Sequence, residues 1–185
     1  MTRNYKIIPY SVRQLSEDDF AAALRGSKKD ILSGTRLGAS RNLIPKSTAN
    51  LNSTIIISLG LFHYETFVGW STGYNIGLAT FYIDNSAIHS DHRGRGFYLR
   101  LMQAMIGQVT REGFQSLKCH HFGTMNELIA LKLRLGFAIT GLEISEEHGS
   151  MVLMEYFINK KRSAILRFRT GESRPSVTVR KVLKL

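Results

Sequence analysis

The feature that most constrains the fold is a change of hydrophobic period in the middle of the chain. Residues 78–88 form a β-rich run, and residues 96–112 then carry apolar side chains at the three- and four-residue spacing of an amphipathic helix. A second β-rich run follows at residues 116–121. A strand, a helix and a strand in this order predict a right-handed crossover between two parallel strands.

Further β-rich runs on both sides of this unit predict antiparallel neighbours for the parallel pair. In chain order they lie at residues 54–59, 66–71, 137–144 and 151–158. Helices are predicted at residues 15–32, with Ser16 as the cap, and at residues 125–135. Residues 33–52 look like a long loop. The predicted fold class is α/β, with one mixed (α+β) sheet flanked by helices.

The charge of the chain is concentrated at its ends. A length of 185 residues suits one domain, predicted at residues 1–158, followed by a basic extension at residues 159–185. The extension holds nine Lys/Arg and one acid, which gives +8 of the total net charge of +11. Such a surface attracts anionic partners, although a solvated tail is the plainer interpretation. Runs at residues 164–168 and 177–179 are predicted as strands that could join the sheet or complete a homodimer.

Cysteine and hydropathy patterns exclude several classes. The single cysteine, Cys119, rules out an intramolecular disulfide and a zinc finger, and it favours a reducing cytoplasm. No apolar run approaches the roughly 20 residues that span a bilayer, and no secretory signal is recognised. Cys119 precedes His120 and His121, but adjacent strand residues point to opposite faces. A buried structural thiol is therefore expected, and no metal site.

A basic, glycine-interrupted turn joins the first strand of the crossover to its helix. Gly94 and Gly96 allow backbone N–H groups to approach a ligand, and the helix start adds unpaired donors. Arg93, Arg95 and Arg100 add positive charge. The turn therefore predicts a pyrophosphate site, with a simple tight connection as the alternative.

These residues resemble a family motif. A strand that ends in Ile88, followed by Arg93-Gly94-Arg95-Gly96 at a helix start, is similar to the Arg/Gln-x-x-Gly-x-Gly/Ala motif of GNAT acetyltransferases. Tyr98 departs from the pattern, since a small residue is usual there. Asn126 and the later Leu135-Gly136-Phe137 resemble a second block of the family. The resemblance covers roughly residues 55–158 and implies a GNAT-like acyl-CoA N-acyltransferase fold with splayed parallel strands.

The resemblance also implies how acetyl-CoA, as co-substrate, would be held. The backbone of Ser86 and Ile88 would pair with the pantetheine arm, and the Ile88 N–H would stabilise the oxyanion. Asn126 would contact the arm or the reacting end. The pyrophosphate would be bound by a charge from Arg93 and by the N–H groups of Gly94, Arg95, Gly96, Phe97 and Tyr98.

The implied reaction is attack of an amine on the thioester, which needs a base because an ammonium has a pKa near 10. The candidate bases are Asp84, His89 and His120 first, with His121 and Glu65 also considered. Strand alternation predicts Asp84, Ser86 and Ile88 on one face. The tyrosine that usually acts as acid is replaced by Lys132, with Tyr98 and Tyr82 as alternatives.

An N-acetyltransferase that acts on a primary amine is therefore the predicted function. Its acceptor stays open between a small amine, a protein amine and an aminoacyl-tRNA. The basic ends favour an anionic partner such as tRNA. Two alternatives remain: a catalytically weak sensor that binds CoA or acyl-CoA, and a nucleic-acid-binding module that uses the basic ends.

Overall fold

One mixed sheet of seven strands organises the protein in a computed structural model that describes residues 10–31, 54–146 and 148–185. The strands are β1 (Tyr10–Leu15), β2 (Ile56–His63), β3 (Thr66–Asn75), β4 (Thr80–Ile88), β5 (Ser116–Phe122), β6 (Ala138–Ser145) and β7 (Gly149–Phe157). The strand order is β1-β2-β3-β4-β5-β7-β6, and within the described residues β4–β5 is the one parallel pair. The predicted mixed α/β class is confirmed.

Five α-helices accompany the sheet in the described residues. They are α1 (Glu17–Ile31), α2 (Phe97–Arg111), α3 (Asn126–Arg134), α4 (Lys160–Arg169) and α5 (Val177–Leu183). The first three lie where the sequence predicts them, and Ser16 caps α1 by accepting the Asp19 N–H at 3.1 Å. The loop predicted at residues 33–52 lies outside the described residues. No helix among the described residues is long and apolar enough to cross a membrane.

Two helices cover one face of the sheet, which we call the α2 face. The α2 stripe of Leu101, Met102, Met105 and Val109 is fully buried against β2, β3 and β4, because its apolar residues recur at helical spacing. On the same face α3 buries Lys132 beside Met102. The other face, which we call the acceptor face, carries α1 over β1, β2 and β3, and α4 beside β7.

A bulge in β4 changes which side chains share a face. Gly73 pairs with Ile83 and Thr72 pairs with Asn85, so Asp84 is the extra residue of the bulged strand. Ser86 donates to Ser71 at 2.8 Å on the α2 face, whereas the Asp84 carboxylate acts on the tyrosines of the acceptor face. The prediction that Asp84 shares a face with Ser86 and Ile88 is therefore wrong, because the bulge interrupts the alternation.

The basic extension is helical. The strands predicted at residues 164–168 and 177–179 are wrong, since α4 and α5 occupy these positions. Each helix has an N-cap that the sequence supplies: Asn159 accepts the Lys161 N–H and Ser176 accepts the Val179 N–H. Extra strands therefore cannot complete a dimer in the way that the sequence suggests. One further strand, β1, is absent from the sequence-based prediction, although Tyr10 and Val12 alternate with polar residues.

Candidate active site

A gap opens between β4 and β5. The two strands pair only where Thr80–Tyr82 lies beside Ser116–Lys118. Beyond this point β4 continues to Ile88 along β3, while β5 continues to Phe122 along β7. The facing strand edges therefore carry backbone polar groups that no neighbouring strand satisfies. An extended chain with amide groups can pair with such an edge as an added strand does.

The turn at the mouth of this gap presents open backbone donors. Gly94 and Gly96 have φ angles of +70° and +79°, and a Cβ on either would meet no described atom within 4 Å. Gly96 is the N-cap of α2 and supplies no side-chain cap. The N–H groups of residues 94–98 donate to no residue that the structure describes. A helix start with such free donors attracts anions.

The turn is fixed from below by side chains. Arg93 donates from Nε to the Ile88 carbonyl at 2.9 Å, which ties the turn to the end of β4. A hydrogen bond of 2.9 Å joins the Tyr10 hydroxyl to His92 Nδ1 under the same turn. The ring of Tyr98 packs towards the core near Ser86, so its bulk does not cover the donors. The exposed donors, the cations and the strand gap together fit the pyrophosphate and pantetheine arm of acetyl-CoA.

On the acceptor face, the gap is bordered by a cluster of polar aromatic and ionisable side chains: Tyr74, Tyr82, Asp84 and His120. The rings of Tyr74 and Tyr82 are 5.6 Å apart, and His120 lies edge-on to Tyr82 at 5.4 Å. Loss of hydration raises the pKa of Asp84, although its side chain reaches solvent. The same cause lowers the pKa of His120. Both shifts favour the uncharged form of each group, which suits a site that handles protons.

On the α2 face, the gap is bordered by a buried cluster of potential proton donors. Lys132 is fully buried, and its Nζ lies 3.1 Å from Met102 Sδ and 4.4 Å above the centre of the Phe137 ring. Burial lowers the pKa of this amine and raises that of the Cys119 thiol. Cys119 is 1% exposed, in agreement with the buried thiol that the sequence predicts. These side chains give the two faces of the gap different chemistry.

His121 makes the stability of the fold depend on pH. Burial, with Lys132 and His120 as further causes, lowers its pKa from 6.5 to about 4, and its Nε2 has no hydrogen-bond partner in the described part of the chain. The unfolded chain binds a proton more readily, so this contribution is complete above pH 6.5 and is lost as the pH falls towards 4. We expect the free energy of unfolding to fall by roughly 3 kcal/mol over this range.

Chemical denaturation at pH 7, 5.5 and 4 measures this loss, and His121→Phe provides the comparison. The variant keeps an aromatic ring but cannot bind a proton, so it should show a loss smaller by about the same amount. Equal losses in both proteins would assign the acid sensitivity to other groups.

The other candidate bases lie apart from the cluster on the acceptor face. His89 lines a cavity of about 420 Å³ between α1 and β3, and its Nδ1 accepts the Asp91 N–H at 3.4 Å. Glu65 sits in the β2–β3 turn, where both carboxylate oxygens accept from Arg13 at 2.9 Å. His120 and His121 face opposite sides of β5, as alternation predicts. Asn126 is exposed at the start of α3, just after β5.

Sequence reasoning missed Tyr74 and Glu143 as members of the site. Glu143 of β6 acts electrostatically on His120 and Tyr82. Neither residue belongs to a recognisable motif, and only the strand order brings β6 within reach of β5. The pairing of Tyr74 with Tyr82 was in principle accessible, because β3 and β4 form consecutive antiparallel strands. No three His, Cys, Asp or Glu residues in the described ranges converge as metal ligands.

Comparison with solved structures gives the same architecture. The chain is similar to the ribosomal-protein-S18-alanine N-acetyltransferase from Escherichia coli, with 15% identity, a TM-score of 0.62, and coverage of 81% of this chain and 94% of that one. It is also similar to an IAA acetyltransferase from Bacillus cereus ATCC 14579, with 12% identity, a TM-score of 0.63, and coverage of 81% of this chain and 100% of that one. A third similar structure is a GNAT family acetyltransferase from Elizabethkingia anophelis with acetyl-CoA bound, with 12% identity, a TM-score of 0.58, and coverage of 80% of this chain and 98% of that one. At these identities the likeness shows the fold.

Sequence comparison identifies the family. A search of curated proteins gives no match. Residues 36–137, which are more than half of the chain, match the family described as "Acetyltransferase (GNAT) family". The matched range contains β4, the glycine turn, α2, β5 and α3, which build the gap and its mouth. With its mixed sheet and its splayed parallel strands, the chain belongs to the GNAT acetyltransferase family.

Proposed function

We propose that this protein transfers an acetyl group from acetyl-CoA to a primary amine. The observation that carries the proposal is the row of open N–H donors at residues 94–98, located at the mouth of the gap between β4 and β5. Family membership and neighbours that bind acetyl-CoA support the choice of co-substrate. When bound, acetyl-CoA would supply an activated thioester in the gap.

The residues of the turn would hold the co-substrate. The N–H groups of residues 94–98 would bind the pyrophosphate at the start of α2, and the exposed Arg95 and Arg100 would add charge. Arg93 would act mainly through its bond to the Ile88 carbonyl, which fixes the turn against β4. The free edge of Ser86 to Ile88 would pair with the pantetheine arm, and Asn126 would approach it from α3.

Asp84 and His120 would take the proton from the attacking ammonium. Both border the gap on the acceptor face, where Asp84 acts electrostatically on Tyr82 and the His120 ring contacts the Tyr82 ring. The lowered pKa of His120 keeps the imidazole neutral at physiological pH, and Asp84 is the carboxylate that β4 supplies. We assign His89 a supporting role in the turn, because it bonds to Asp91 and lines the cavity beside α1.

Lys132 suits protonation of the departing thiolate better than Tyr98 does. Both lie on the α2 face of the gap, opposite the proposed bases. Burial raises the pKa of Tyr98 and lowers that of Lys132. The lysine pKa therefore moves towards that of a thiol, and proton transfer is most efficient between groups of similar pKa. The attacking ammonium would thus lose its proton on the acceptor face, and the departing thiolate would receive a proton on the α2 face.

Calorimetric titration with acetyl-CoA, followed by a CoA-release assay over a panel of amines, tests the proposal. We expect micromolar binding and turnover with at least one primary amine, and no turnover with a matched tertiary amine. Binding without turnover of any amine would instead support the CoA-binding sensor. Failure of the folded protein to bind acetyl-CoA would refute the proposed function.

A further inference from the structure

The basic segment 159–185, which we call the basic hairpin, is a folded surface rather than a tail. Asn159 donates to Gln115 Oε1 at 3.1 Å, and the N–H groups of Ile158 and Asn159 donate to the Gln115 carbonyl. Arg162 reaches the buried Glu155 of β7 at 3.5 Å. Val179 of α5 is 2% exposed. The remaining cations of the segment are therefore presented on a scaffold, with less conformational freedom to lose on binding.

Most of the positive charge on the basic hairpin is not balanced by an acidic side chain that the structure describes. Arg162 pairs with Glu155, and Arg167 pairs with Glu172 at 2.9 Å. The other seven cations form no ion pair with any residue that the structure describes, and all of them are exposed: Lys160, Lys161, Arg169, Arg174, Arg180, Lys181 and Lys184. Such uncompensated positive charge favours a polyanionic partner.

The chemistry of the basic hairpin favours phosphates of a nucleic acid over a lipid surface. A helix that lies on a bilayer needs an exposed apolar face. The apolar residues of α4 (Ala164, Ile165, Leu166 and Phe168) are half-buried. Val177 and Val182 of α5 are exposed, but this helix has only seven residues and is too short to present such a face. Five of the nine cations are arginines, whose planar guanidinium binds phosphate oxygens in pairs.

The position of the basic hairpin links it to the proposed reaction. Arg162 donates to Ser116 Oγ at 3.3 Å, and Ser116 shares the acceptor face with His120, four residues further along β5. Four strand residues span about 13 Å. A ligand could thus contact the basic hairpin with its phosphates and reach Asp84 and His120 with an amine.

We propose that the acceptor amine is carried by an RNA whose phosphate backbone binds the basic hairpin. This inference rests on the proposed function for the amine, while the RNA contact stands on the charge and the fold of the basic hairpin. An amino acid esterified to the terminal ribose is a primary amine joined directly to a phosphate polymer. Such an aminoacyl-RNA would offer phosphates to the basic hairpin and an amine to Asp84 and His120.

RNA binding is tested first without acetyl-CoA. The variant Arg169→Gln/Arg174→Gln/Lys181→Gln removes three exposed cations from the basic hairpin. We expect its affinity for bulk deacylated tRNA at 0.15 M salt to fall roughly 10- to 100-fold, and its log–log salt slope to decrease by about 2 to 3. The matched control is Arg25→Gln/Arg111→Gln/Arg134→Gln, which removes three exposed cations elsewhere and should change both values far less.

Equal losses in the two variants would overturn the proposal, since net charge alone would explain them. Binding to phosphatidylserine vesicles but not to tRNA would also overturn it. In a second assay, acetyl transfer to an aminoacyl-tRNA is compared with transfer to the methyl ester of the same amino acid. We expect a preference for the tRNA-linked amine that the variant in the basic hairpin loses. No preference in the wild type would refute the RNA-borne acceptor, whereas no transfer to any amine would refute the proposed function itself.

Discussion

Gly96→Asp is expected to weaken acetyl-CoA binding by about 100-fold or more. Gly96 caps α2 at a φ of +79°, which side chains adopt only with strain, and its N–H belongs to the open donor row. The new carboxylate would stand among these donors and repel a pyrophosphate. At about 5 Å and an effective dielectric constant near 20, each like-charge pair costs about 3 kcal/mol before screening. Calorimetry with acetyl-CoA and with CoA measures the loss.

Gly113→Asp provides a matched control for this experiment. Gly113 ends α2 with a φ of +84°, and a Cβ there also meets no described atom within 4 Å. The two variants therefore carry the same backbone strain and the same new charge at opposite ends of one helix. If the open donors bind the pyrophosphate, only Gly96→Asp loses affinity, whereas Gly113→Asp shows the larger decrease in Tm, because its carboxylate lies beside the carbonyl end of the helix. Equal affinities would remove the turn from the binding site.

The glycine turn and the parallel crossover were predictable because they depend on local signals. Gly94 and Gly96 between a β-rich run and an amphipathic stripe define a strand, a turn and a helix within some thirty residues. The three-residue pairing of β4 with β5 then agrees with the splay that the family resemblance implies. The strands predicted at residues 164–168 and 177–179 are wrong because short runs with branched residues fit strands and helices equally well. The N-cap residues Asn159 and Ser176 favour the helical conformation of the two runs that follow them.

The division of the site between two faces could not be predicted from the sequence. Alternation places Asp84 with Ser86, and one bulged residue reverses this relation. A bulge leaves no sequence signal, because it depends on which residues of β3 lie opposite. The burial of Lys132 against Met102 likewise needs the packing of α3 on α2. Sequence motifs therefore locate the co-substrate turn, while tertiary structure determines which side chains can reach the amine.

Asp84→Asn is expected to reduce kcat by roughly 100-fold or more while leaving the affinity for acetyl-CoA unchanged. General-base catalysis contributes factors of this size, and the amide keeps the shape of the carboxylate but cannot take the proton. The side chain lies on the acceptor face, away from the donors of the turn, so binding of the co-substrate should be preserved. Steady-state kinetics with the preferred amine and calorimetry with acetyl-CoA measure the two effects separately.

The pH profile distinguishes a base from a residue that only holds the amine. A base acts in its deprotonated form, so activity falls as the pH drops through its pKa. Because the pKa of Asp84 is raised, this loss begins at a higher pH than for an ordinary aspartate. Asp84→Asn should lose this acidic limb, and His120→Gln should retain it if Asp84 is the base.

The control Glu112→Gln, which removes an exposed carboxylate at the far end of α2, should keep the wild-type rate and profile. An Asp84→Asn variant with a higher KM, an unchanged kcat and the wild-type limb would assign Asp84 to amine binding and leave proton removal to His120.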